Sequence, residues 1–530
     1  MALVIAYDIG TTGIKTCLCE ITEEIKILAS ASEGYKLYIL EGGGAEQDTE
    51  EWWSAMCHTT KKVLEKSGRK PEEIEGISFC SQMQGLVLVD EQGEPVHRPM
   101  SYMDQRALDE YNKIMGTFPK LNGMNVIKTL KSLRMNAAAS TSVKDPIWKY
   151  KWIETNEPEN FKRAYKWLDV KEYFLLRCTG NFVMTKDSAY ATFAYATKGK
   201  NLGWNDAFCK MYGIKREHLP EIIDCVDMAG ELTEKSAAEL GLVPGIPVFG
   251  GGGDATLIGI GAGCTTVGRT HAYAGTSGWV STLVDKQYVD INYMIASTVG
   301  AEEGTYNYFA EMETAGKCLE WVKDHLALDE INIYLKKEHV EQSQESEYIS
   351  LYDYLSDTID TVPAGSNGVI FTPWLHGNRC PFEDPNAAGM FFNIKIDTGK
   401  TEMLRAVNEG VCYHLRWMLE CQDKKINTSD VLRFVGGGAL SDVNCQILAD
   451  VTGRAVDTVS NTQDVGAVGA AACCGIGLGL IKNFQVLEDF IPIKSAFLPN
   501  EKNKAVYDKN FEVFKNLYKS NKKNFEKLNA

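Results

Sequence analysis

Residues 4–15 read Val4-Ile5-Ala6-Tyr7-Asp8-Ile9-Gly10-Thr11-Thr12-Gly13-Ile14-Lys15, and this segment is the main indication of the fold. An apolar strand runs into a tight turn, with Asp8 at the strand end and threonine hydroxyls in the turn. Gly10 and Gly13 let the backbone approach an anion closely, and Lys15 adds positive charge. Such a loop suits phosphate and a hydrated metal ion, although a plain β-hairpin turn has the same composition.

A second segment of similar character reads Val248-Phe249-Gly250-Gly251-Gly252-Gly253-Asp254-Ala255. It also indicates an apolar strand followed by a glycine turn that ends in a carboxylate. A further cluster, Tyr273-Ala274-Gly275-Thr276-Ser277-Gly278, repeats the hydroxyl-rich glycine turn of residues 10–13. Matched loops of this kind predict two similar halves that face one nucleotide and one small substrate. We therefore expect a kinase or an ATPase built without a Walker A loop.

The composition is that of a globular protein with more than one domain. The chain has 530 residues, of which 44% are hydrophobic and 24% charged, and this predicts at least two domains. The formal charge of −16 argues against duplex nucleic acid or an anionic membrane as a partner. Backbone amides and a few local cations can still hold a nucleotide.

Cysteine usage and the apolar segments bear on location. The 15 cysteines form no paired CxxC framework, so we expect buried thiols in a reducing cytosol rather than zinc ligands. Residues 1–6 contain no basic segment, so we expect no signal peptide and a cytoplasmic protein. The apolar run 467–481 is too short to span a bilayer and predicts a buried helix.

Strands alternate with helices in both halves, so the predicted fold class is α/β. The clearest break is the Gly- and Pro-rich segment 241–247, which a strand follows immediately. We therefore predict three parts: a first domain over 1–247, a second over 248–490, and a helical tail over 491–530 packed on the body. The tail carries apolar residues at helical spacing: Tyr507, Phe511, Phe514 and Tyr518.

The periodicity of apolar residues also predicts individual elements. The predicted elements are helices over 49–67, 312–325 and 401–421, a mainly helical region over 145–177, a helix and loop within 339–367, and strands over 74–79, 85–89 and 431–435.

Asp254 is the leading candidate for a catalytic group. A carboxylate at an uncrowded turn can accept a proton from a substrate hydroxyl, and it can equally cap the helix that begins at Ala255. Residues 434–442 predict a strand that runs through Gly436-Gly437-Gly438 into a helix. Glycines at that turn would let a flat adenine lie against the backbone, or they form only a tight strand–helix turn.

Two polar clusters follow strands in the first half. Ser81-Gln82-Met83-Gln84-Gly85 and Tyr102-Met103-Asp104-Gln105-Arg106 concentrate amides, a carboxylate and a guanidinium. These groups are the donors and acceptors that a polyhydroxy ligand needs, although solvated turns have similar compositions. Residues 263–270 have P-loop spacing but arginine in place of the lysine, and no dinucleotide-binding fingerprint is present, so a dehydrogenase is not expected.

Taken in order, these segments resemble the FGGY family of carbohydrate kinases over nearly the whole chain. The resemblance implies two ribonuclease-H-like domains of the actin/hexokinase type with a central cleft. Within the family, Gln82-Met83-Gln84-Gly85 is most similar to the Gln-Met-His-Gly motif of xylulokinases, with Gln84 in place of histidine. Tyr102-Met103-Asp104-Gln105-Arg106 likewise resembles their Trp-x-Asp-x-Arg motif. Both departures lie where the sugar is expected to bind.

The resemblance also implies roles for particular residues, with ATP and Mg²⁺ as cofactors. Asp254 matches the catalytic base, and Asp8 together with Asp254 is expected near the metal. The expected nucleotide-binding residues are Gly10, Thr11, Thr12, Lys15, Thr276, Gly316, Gly437, Gly438 and Asp442. The expected substrate-binding residues are Met83, Gln84, Tyr102, Asp104 and Asp254.

The resulting hypothesis is transfer of the γ-phosphate of ATP to a hydroxyl of a ketopentose such as D-xylulose. Two alternatives stay open. One is an FGGY kinase for another sugar or polyol, such as glycerol, ribulose or gluconate. The other is a non-catalytic, ATP-driven conformational protein of the actin or Hsp70 type. A homodimer is one option for the assembly, and neither nucleic acid nor membrane is expected as a partner.

Overall fold

A computed structural model describes residues 2–121, 123–199, 202–326 and 351–529, with the backbone alone described for 351–355. The predicted helix and loop within 339–367 lie partly outside these residues. Among the helices that the structure describes, none combines the length and the apolar character needed to cross a membrane.

The first lobe extends from β1 to α10, and its helices pack around its main sheet. Its strands are β1 (Ala2–Ile9), β2 (Gly13–Ile21), β3 (Ile25–Gly34), β4 (Tyr38–Leu40), β5 (Gly44–Glu46), β6 (Ile74–Ser81), β7 (Val87–Val89), β8 (Lys120–Leu121), β9 (Met124–Asn125), β10 (Lys166–Leu168), β11 (Val183–Thr185), β12 (Tyr195–Ala196), β13 (Gly203–Trp204), β14 (Glu221–Ile223), β15 (Met228–Glu231), β16 (Pro247–Phe249) and β17 (Gly252–Gly253). Its helices are α1 (Thr49–Ser67), α2 (Leu108–Ile114), α3 (Val126–Asn136), α4 (Pro146–Asn156), α5 (Pro158–Arg163), α6 (Val170–Thr179), α7 (Lys186–Ala191), α8 (Asp206–Tyr212), α9 (Glu234–Leu240) and α10 (Asp254–Gly261).

The second lobe begins at β18. Its strands are β18 (Thr270–Ala274), β19 (Gly278–Val284), β20 (Val289–Asp290), β21 (Ile295–Val299), β22 (Tyr306–Met312), β23 (Ile370–Thr372), β24 (Met390–Phe392), β25 (Val431–Val435), β26 (Ala455–Val459) and β27 (Ile493–Phe497). The described helices in this part of the chain are α11 (Gly316–His325), α12 (Leu351–Asp360), α13 (Lys400–Gln422), α14 (Asp442–Thr452), α15 (Val465–Gly477), α16 (Leu487–Phe490) and α17 (Glu501–Asn529). Of these, α15 packs against β1, β6 and α10 of the first lobe.

The main sheets of the two lobes share one pattern of strand pairing. In the first sheet, β1 pairs with β2 and β2 with β3, both antiparallel, while β6 lies parallel on the other side of β1. In the second sheet, β18, β19 and β22 form the antiparallel series, and β25 lies parallel to β18. The predicted α/β fold with two ribonuclease-H-like domains is confirmed.

This pairing changes which loops correspond between the lobes. Residues 10–12 join β1 to β2, and residues 275–277 join β18 to β19, so these two hairpin turns are the matched pair. The segment 248–254, which the sequence also paired with the Asp8 loop, instead lies in the same sheet as Asp8, because β16 and β17 both pair with β6. The end of the first domain, which the sequence predicts at residue 247, therefore falls among the strands of the first sheet.

Most of the predicted elements are present with similar bounds. The helix expected over 49–67 is α1, and that expected over 401–421 is α13. The helix expected over 312–325 begins later, at Gly316, because β22 continues to Met312. The apolar run from 467 lies in the buried helix α15.

The C-terminal tail packs on the second lobe. Tyr507, Phe511, Phe514 and Tyr518 of α17 belong to the core cluster that also contains α13 residues such as Tyr413. The buried Tyr507 hydroxyl donates to the Glu409 carboxylate at 2.9 Å. Helix α17 therefore completes the second lobe's core.

Candidate active site

Strand ends from both lobes meet at one cavity of about 510 Å³. Parallel strands present their carboxyl ends at the same edge of a sheet, which is where ligands bind in open α/β folds. Asp8 follows this rule at the end of β1, as do the turns after β18 and β25. The residues that line the cavity include Asp8, Lys15, Tyr273, Gly275, Thr276, Gly316, Asn408, Gly436, Gly437, Gly438, Ser441, Gln463, Val465 and Gly466.

The structure brings five of the predicted nucleotide-binding residues to the cavity wall: Lys15, Thr276, Gly316, Gly437 and Gly438. Close backbone approach explains the glycine at 316, because a Cβ there would lie 2.3 Å from the Gly275 carbonyl oxygen. The Gly316 N–H donates to that oxygen at 2.6 Å. Helix α11 thus begins directly against the second hairpin turn.

The turn after β25 closes another part of the wall. Gly436 has a φ of +93°, in the left-handed region that glycine adopts at little cost. A Cβ at Gly438 would lie 2.8 Å from the Ala274 Cβ, so the turn packs flat on the end of β18. Asp442 is the first residue of α14; its neighbours Leu440 and Ser441, rather than Asp442, are among the lining residues.

Asp8 and Lys15 face the cavity from the first hairpin. Burial raises the pKa of Asp8 to about 6, and Lys15 acts in the opposite direction. The Lys15 ammonium pairs with the Asp464 carboxylate at 2.8 Å and donates to the Gln463 carbonyl at 2.9 Å. Helix α15 begins at Val465, directly after Asp464. The amino ends of helices attract anions.

Gly10, Thr11 and Thr12 form the first hairpin turn but are not among the residues that line the cavity. The carbonyl oxygens of Gly10 and Thr11 accept hydrogen bonds from Tyr35 at 2.5 Å and Gln47 at 2.7 Å. These contacts fix the turn from the first lobe's side. The phosphate contacts predicted for the three residues stay a prediction.

Asp254 is the first residue of α10, directly after β17. One of its oxygens, Oδ1, accepts the N–H of Ala255 at 2.8 Å. Burial raises the pKa of Asp254 to about 7, and the carboxylates of Asp8, Glu311 and Asp169 act in the same direction. A carboxyl group with such a pKa is suited to accept a proton near neutral pH.

Met83 and Gln84 lie beside the Asp254 loop. The Met83 side chain packs so closely that a Cβ at Gly253 would lie 2.1 Å from its sulfur. Gln84 has a φ of +63°, and its backbone is held from both sides. Its N–H donates to Asp169 at 2.9 Å, and its carbonyl accepts from Lys149 at 2.7 Å.

Tyr102 and Asp104 occupy different environments. Burial raises the pKa of Tyr102, the charge of Asp254 adds to this rise, and the Thr11 side chain acts in the opposite direction. Asp104 is fully buried, and its Oδ2 accepts from the Ala45 N–H at 2.8 Å and the Arg106 Nε at 3.0 Å. A sugar contact at Asp104 would have to replace one of these bonds.

The sequence analysis missed an ionic cluster from the second lobe. Glu311 on β22 is one of the carboxylates whose charge raises the pKa of Asp254. The Arg379 guanidinium binds Glu311 at 2.6 Å and Glu313 at 2.8 Å, and Lys144 of the first lobe lies 4.0 Å from Glu313. These are common residue types without a local motif, so no sequence signal distinguished them.

Two ribonuclease-H-like lobes around a nucleotide-sized cavity define a protein of the actin/hexokinase type. The model of the FGGY family of carbohydrate kinases, N-terminal domain, matches residues 3–261, and that of the C-terminal domain matches residues 271–478. The chain therefore belongs to the FGGY family of carbohydrate kinases.

Relatives extend over nearly the whole chain. A xylulose kinase of Bacillus subtilis is 26% identical over 519 residues, covering 98% of this chain and 97% of the relative. A gluconokinase of Bacillus licheniformis is 28% identical over 520 residues, covering 97% and 95%. The crystal structure of ligand-bound xylulose kinase from Lactobacillus acidophilus superimposes with a TM-score of 0.84 at 26% identity, covering 99% of this chain and all of that one.

Proposed function

We propose that this FGGY kinase transfers the γ-phosphate of ATP to a hydroxyl of a neutral ketopentose, with D-xylulose as the leading candidate. The observation that carries the proposal is Asp254 at the start of α10, whose pKa is raised by burial and by charges from both lobes, Asp8 in the first and Glu311 in the second. The first lobe supplies the sugar side of the site, and the second lobe supplies most of the nucleotide side.

In the proposed mechanism, the free oxygen of Asp254 accepts the proton of the acceptor hydroxyl. The sugar oxygen then attacks the γ-phosphorus in line, and ADP leaves. Lys15 and the amino end of α15 stabilise negative charge on the phosphates. Positioning and electrostatic stabilisation provide most of the acceleration in reactions of this class.

Asp8 is the residue that we expect to hold Mg²⁺. Its half-buried carboxylate lines the cavity, and its charge raises the pKa of Asp254, so the two carboxylates are close enough to repel each other. A divalent cation relieves such repulsion, and Mg²⁺ usually binds through one or two carboxylates together with substrate phosphates. When bound, Mg²⁺ would neutralise charge on the transferred phosphoryl group.

The charge around Asp254 favours a neutral acceptor over a sugar acid. The charged groups that act on its pKa are carboxylates, namely Asp8, Glu311 and Asp169. Two cations on this side of the site are already engaged, because Arg379 is paired with two glutamates and the Lys149 ammonium donates to the Gln84 carbonyl. A gluconate carboxylate would therefore meet like charge close to the reacting hydroxyl.

The pH dependence of the reaction tests the role of Asp254. The base must be deprotonated to act, so kcat/KM for the sugar should fall as the pH is lowered through the pKa of Asp254. We expect the midpoint at or below about 7, because a bound cation would draw it down. Initial rates of ADP release across the pH range, with ATP and Mg²⁺ saturating, measure it.

Glu311→Gln tests the assignment of this profile to Asp254, with Glu488→Gln as the control. Since the Glu311 charge raises the pKa of Asp254, its neutralisation should move the acid limb to lower pH. The variant Glu488→Gln, whose side chain pairs with Arg269, should leave the limb in place. An acid limb that moves equally in both variants, or in neither, contradicts the assignment of that limb to Asp254.

A substrate panel tests the acceptor. A pocket that pairs hydroxyls penalises missing or wrong groups, so kcat/KM for D-xylulose should exceed that for glycerol and gluconate by at least about 10²-fold. The measurement is ADP release with each compound at several concentrations. Equal or better values with gluconate or glycerol would contradict the ketopentose assignment and leave the sugar kinase activity standing.

A further inference from the structure

A buried carboxylate outside the cavity holds the loop that carries Asp254. Asp187 lies in the first turn of α7 and is 2% exposed. Its Oδ2 accepts the backbone N–H of Gly253 at 2.8 Å. Gly253 directly precedes Asp254, so one hydrogen bond and one peptide unit separate Asp187 from the candidate base.

The Asp187 carboxylate is itself fixed by a chain of buried polar groups. The Thr185 hydroxyl donates to its Oδ1 at 2.5 Å, and the Lys171 ammonium donates to that hydroxyl at 2.8 Å. Lys171 also pairs with the adjacent Glu172. Lys171, Glu172 and Thr185 are all fully buried. Both oxygens of the buried Asp187 carboxylate accept hydrogen bonds, which leaves the carboxylate little freedom to move.

Backbone contacts hold the loop before Asp254, because β17 pairs with β6 and the N–H groups of Gly250 and Gly251 donate to the carbonyls of Asp227 and Cys225. Helix α10 begins without a side-chain cap, because its N-cap residue is Gly253. The Gly253 N–H lies at the positive end of this helix, and a carboxylate that accepts from it makes a charge-assisted hydrogen bond. From the other side, the loop is pressed on β6, where a Cβ at Gly251 would lie 2.0 Å from the Phe79 carbonyl oxygen.

We propose that Asp187 is a positioning residue for phosphoryl transfer, which holds Gly253 so that the Asp254 carboxylate stays directed at the acceptor hydroxyl. The inference rests on the proposed function. Asp187 is not among the residues that line the nucleotide-sized cavity, so its effect should fall on turnover and not on ATP affinity. Misplacement of a catalytic group by about 1 Å can cost about 10²-fold in rate.

The test is Asp187→Asn, which keeps the shape of the side chain and removes its charge. We expect kcat to fall by about 10- to 100-fold, while the Kd for ATP, measured by calorimetry, stays unchanged. Thr185→Val, which removes the hydroxyl that donates to Asp187, should lower kcat less. This second variant keeps the test decisive if Asp187→Asn folds poorly.

Glu409→Gln is the matched control. Glu409 is a buried carboxylate of the second lobe that also accepts a glycine N–H, that of Gly365 at 2.9 Å. Both substitutions should lower the thermal midpoint, but only Asp187→Asn should lower kcat per folded molecule. Wild-type kcat in Asp187→Asn and Thr185→Val, or equal losses in Asp187→Asn and Glu409→Gln, would overturn the inference. Wild-type protein without sugar-dependent ADP release would instead contradict the proposed function.

Discussion

Replacement of Asp254 by asparagine is expected to lower kcat by about 10²–10⁴-fold, the usual contribution of a general base. The amide cannot accept the hydroxyl proton, but its oxygen can keep the bond to the Ala255 N–H that Asp254 makes at 2.8 Å. ATP should bind with wild-type affinity, because Asp254 is not among the residues that line the nucleotide-sized cavity. Coupled ADP release and calorimetric titration with ATP measure the two quantities.

The control for this prediction is a carboxylate of the second lobe with no proposed role. Asp423 pairs with Arg454 at 2.6 Å, and Asp423→Asn should retain wild-type kcat. Turnover close to wild type in Asp254→Asn would remove Asp254 from the role of base. A loss of ATP affinity as large as the loss of kcat would place Asp254 on the nucleotide side instead.

Local signals in the sequence were sufficient for the elements that carry the site. The predicted helix over 49–67 has the bounds of α1, because Trp52 and Trp53 begin a regular apolar stripe. In the structure, the Asp48 side chain also caps its amino end. The turns at 10–12 and 275–277 were recognisable because hydroxyls and glycines occur there in the same order. The structure shows that both turns join the first two strands of their sheets.

Strand pairing between distant segments was not predictable in the same way. The Gly- and Pro-rich segment 241–247 has the composition of a linker, but β16 and β17 follow it and pair with β6, about 170 residues earlier by the numbering of the paired strands. The local break therefore marks a turn within the first lobe. The composition of a segment indicates that the chain turns there, but it does not indicate which sheet the next strand joins.

The same limit explains the missed charges around the base. Glu311 lies on β22, just before the helix predicted over 312–325, and Arg379 lies in a loop between β23 and β24. Their importance comes from the contact between Arg379 and both Glu311 and Glu313, which depends on the folded second lobe. Asp187 is similar, because only the pairing of β17 with β6 brings the Gly253 N–H within its reach.

Replacement of Asp8 by alanine is expected to raise the Mg²⁺ concentration needed for half-maximal rate by about 10- to 100-fold, as for other groups that hold a metal through water. Asp8 lines the cavity, and its carboxylate is the group that we propose for the metal. Sugar binding should change far less, because Met83, Gln84 and Tyr102 are unaffected by the substitution. Rates titrated with Mg²⁺ at saturating ATP and sugar, together with the Kd for the sugar, test this.

A second measurement separates a metal role for Asp8 from a general loss of structure. Because the Asp8 charge raises the pKa of Asp254, its removal should also move the acid limb of kcat/KM to lower pH when Mg²⁺ is supplied in excess. A merely unfolded fraction would scale the rate at every pH and leave the limb and the Mg²⁺ midpoint where they are. Asp8→Ala protein with an unchanged Mg²⁺ midpoint would place the metal at other residues, while a shifted midpoint with intact sugar affinity would support Asp8 as the residue that holds it.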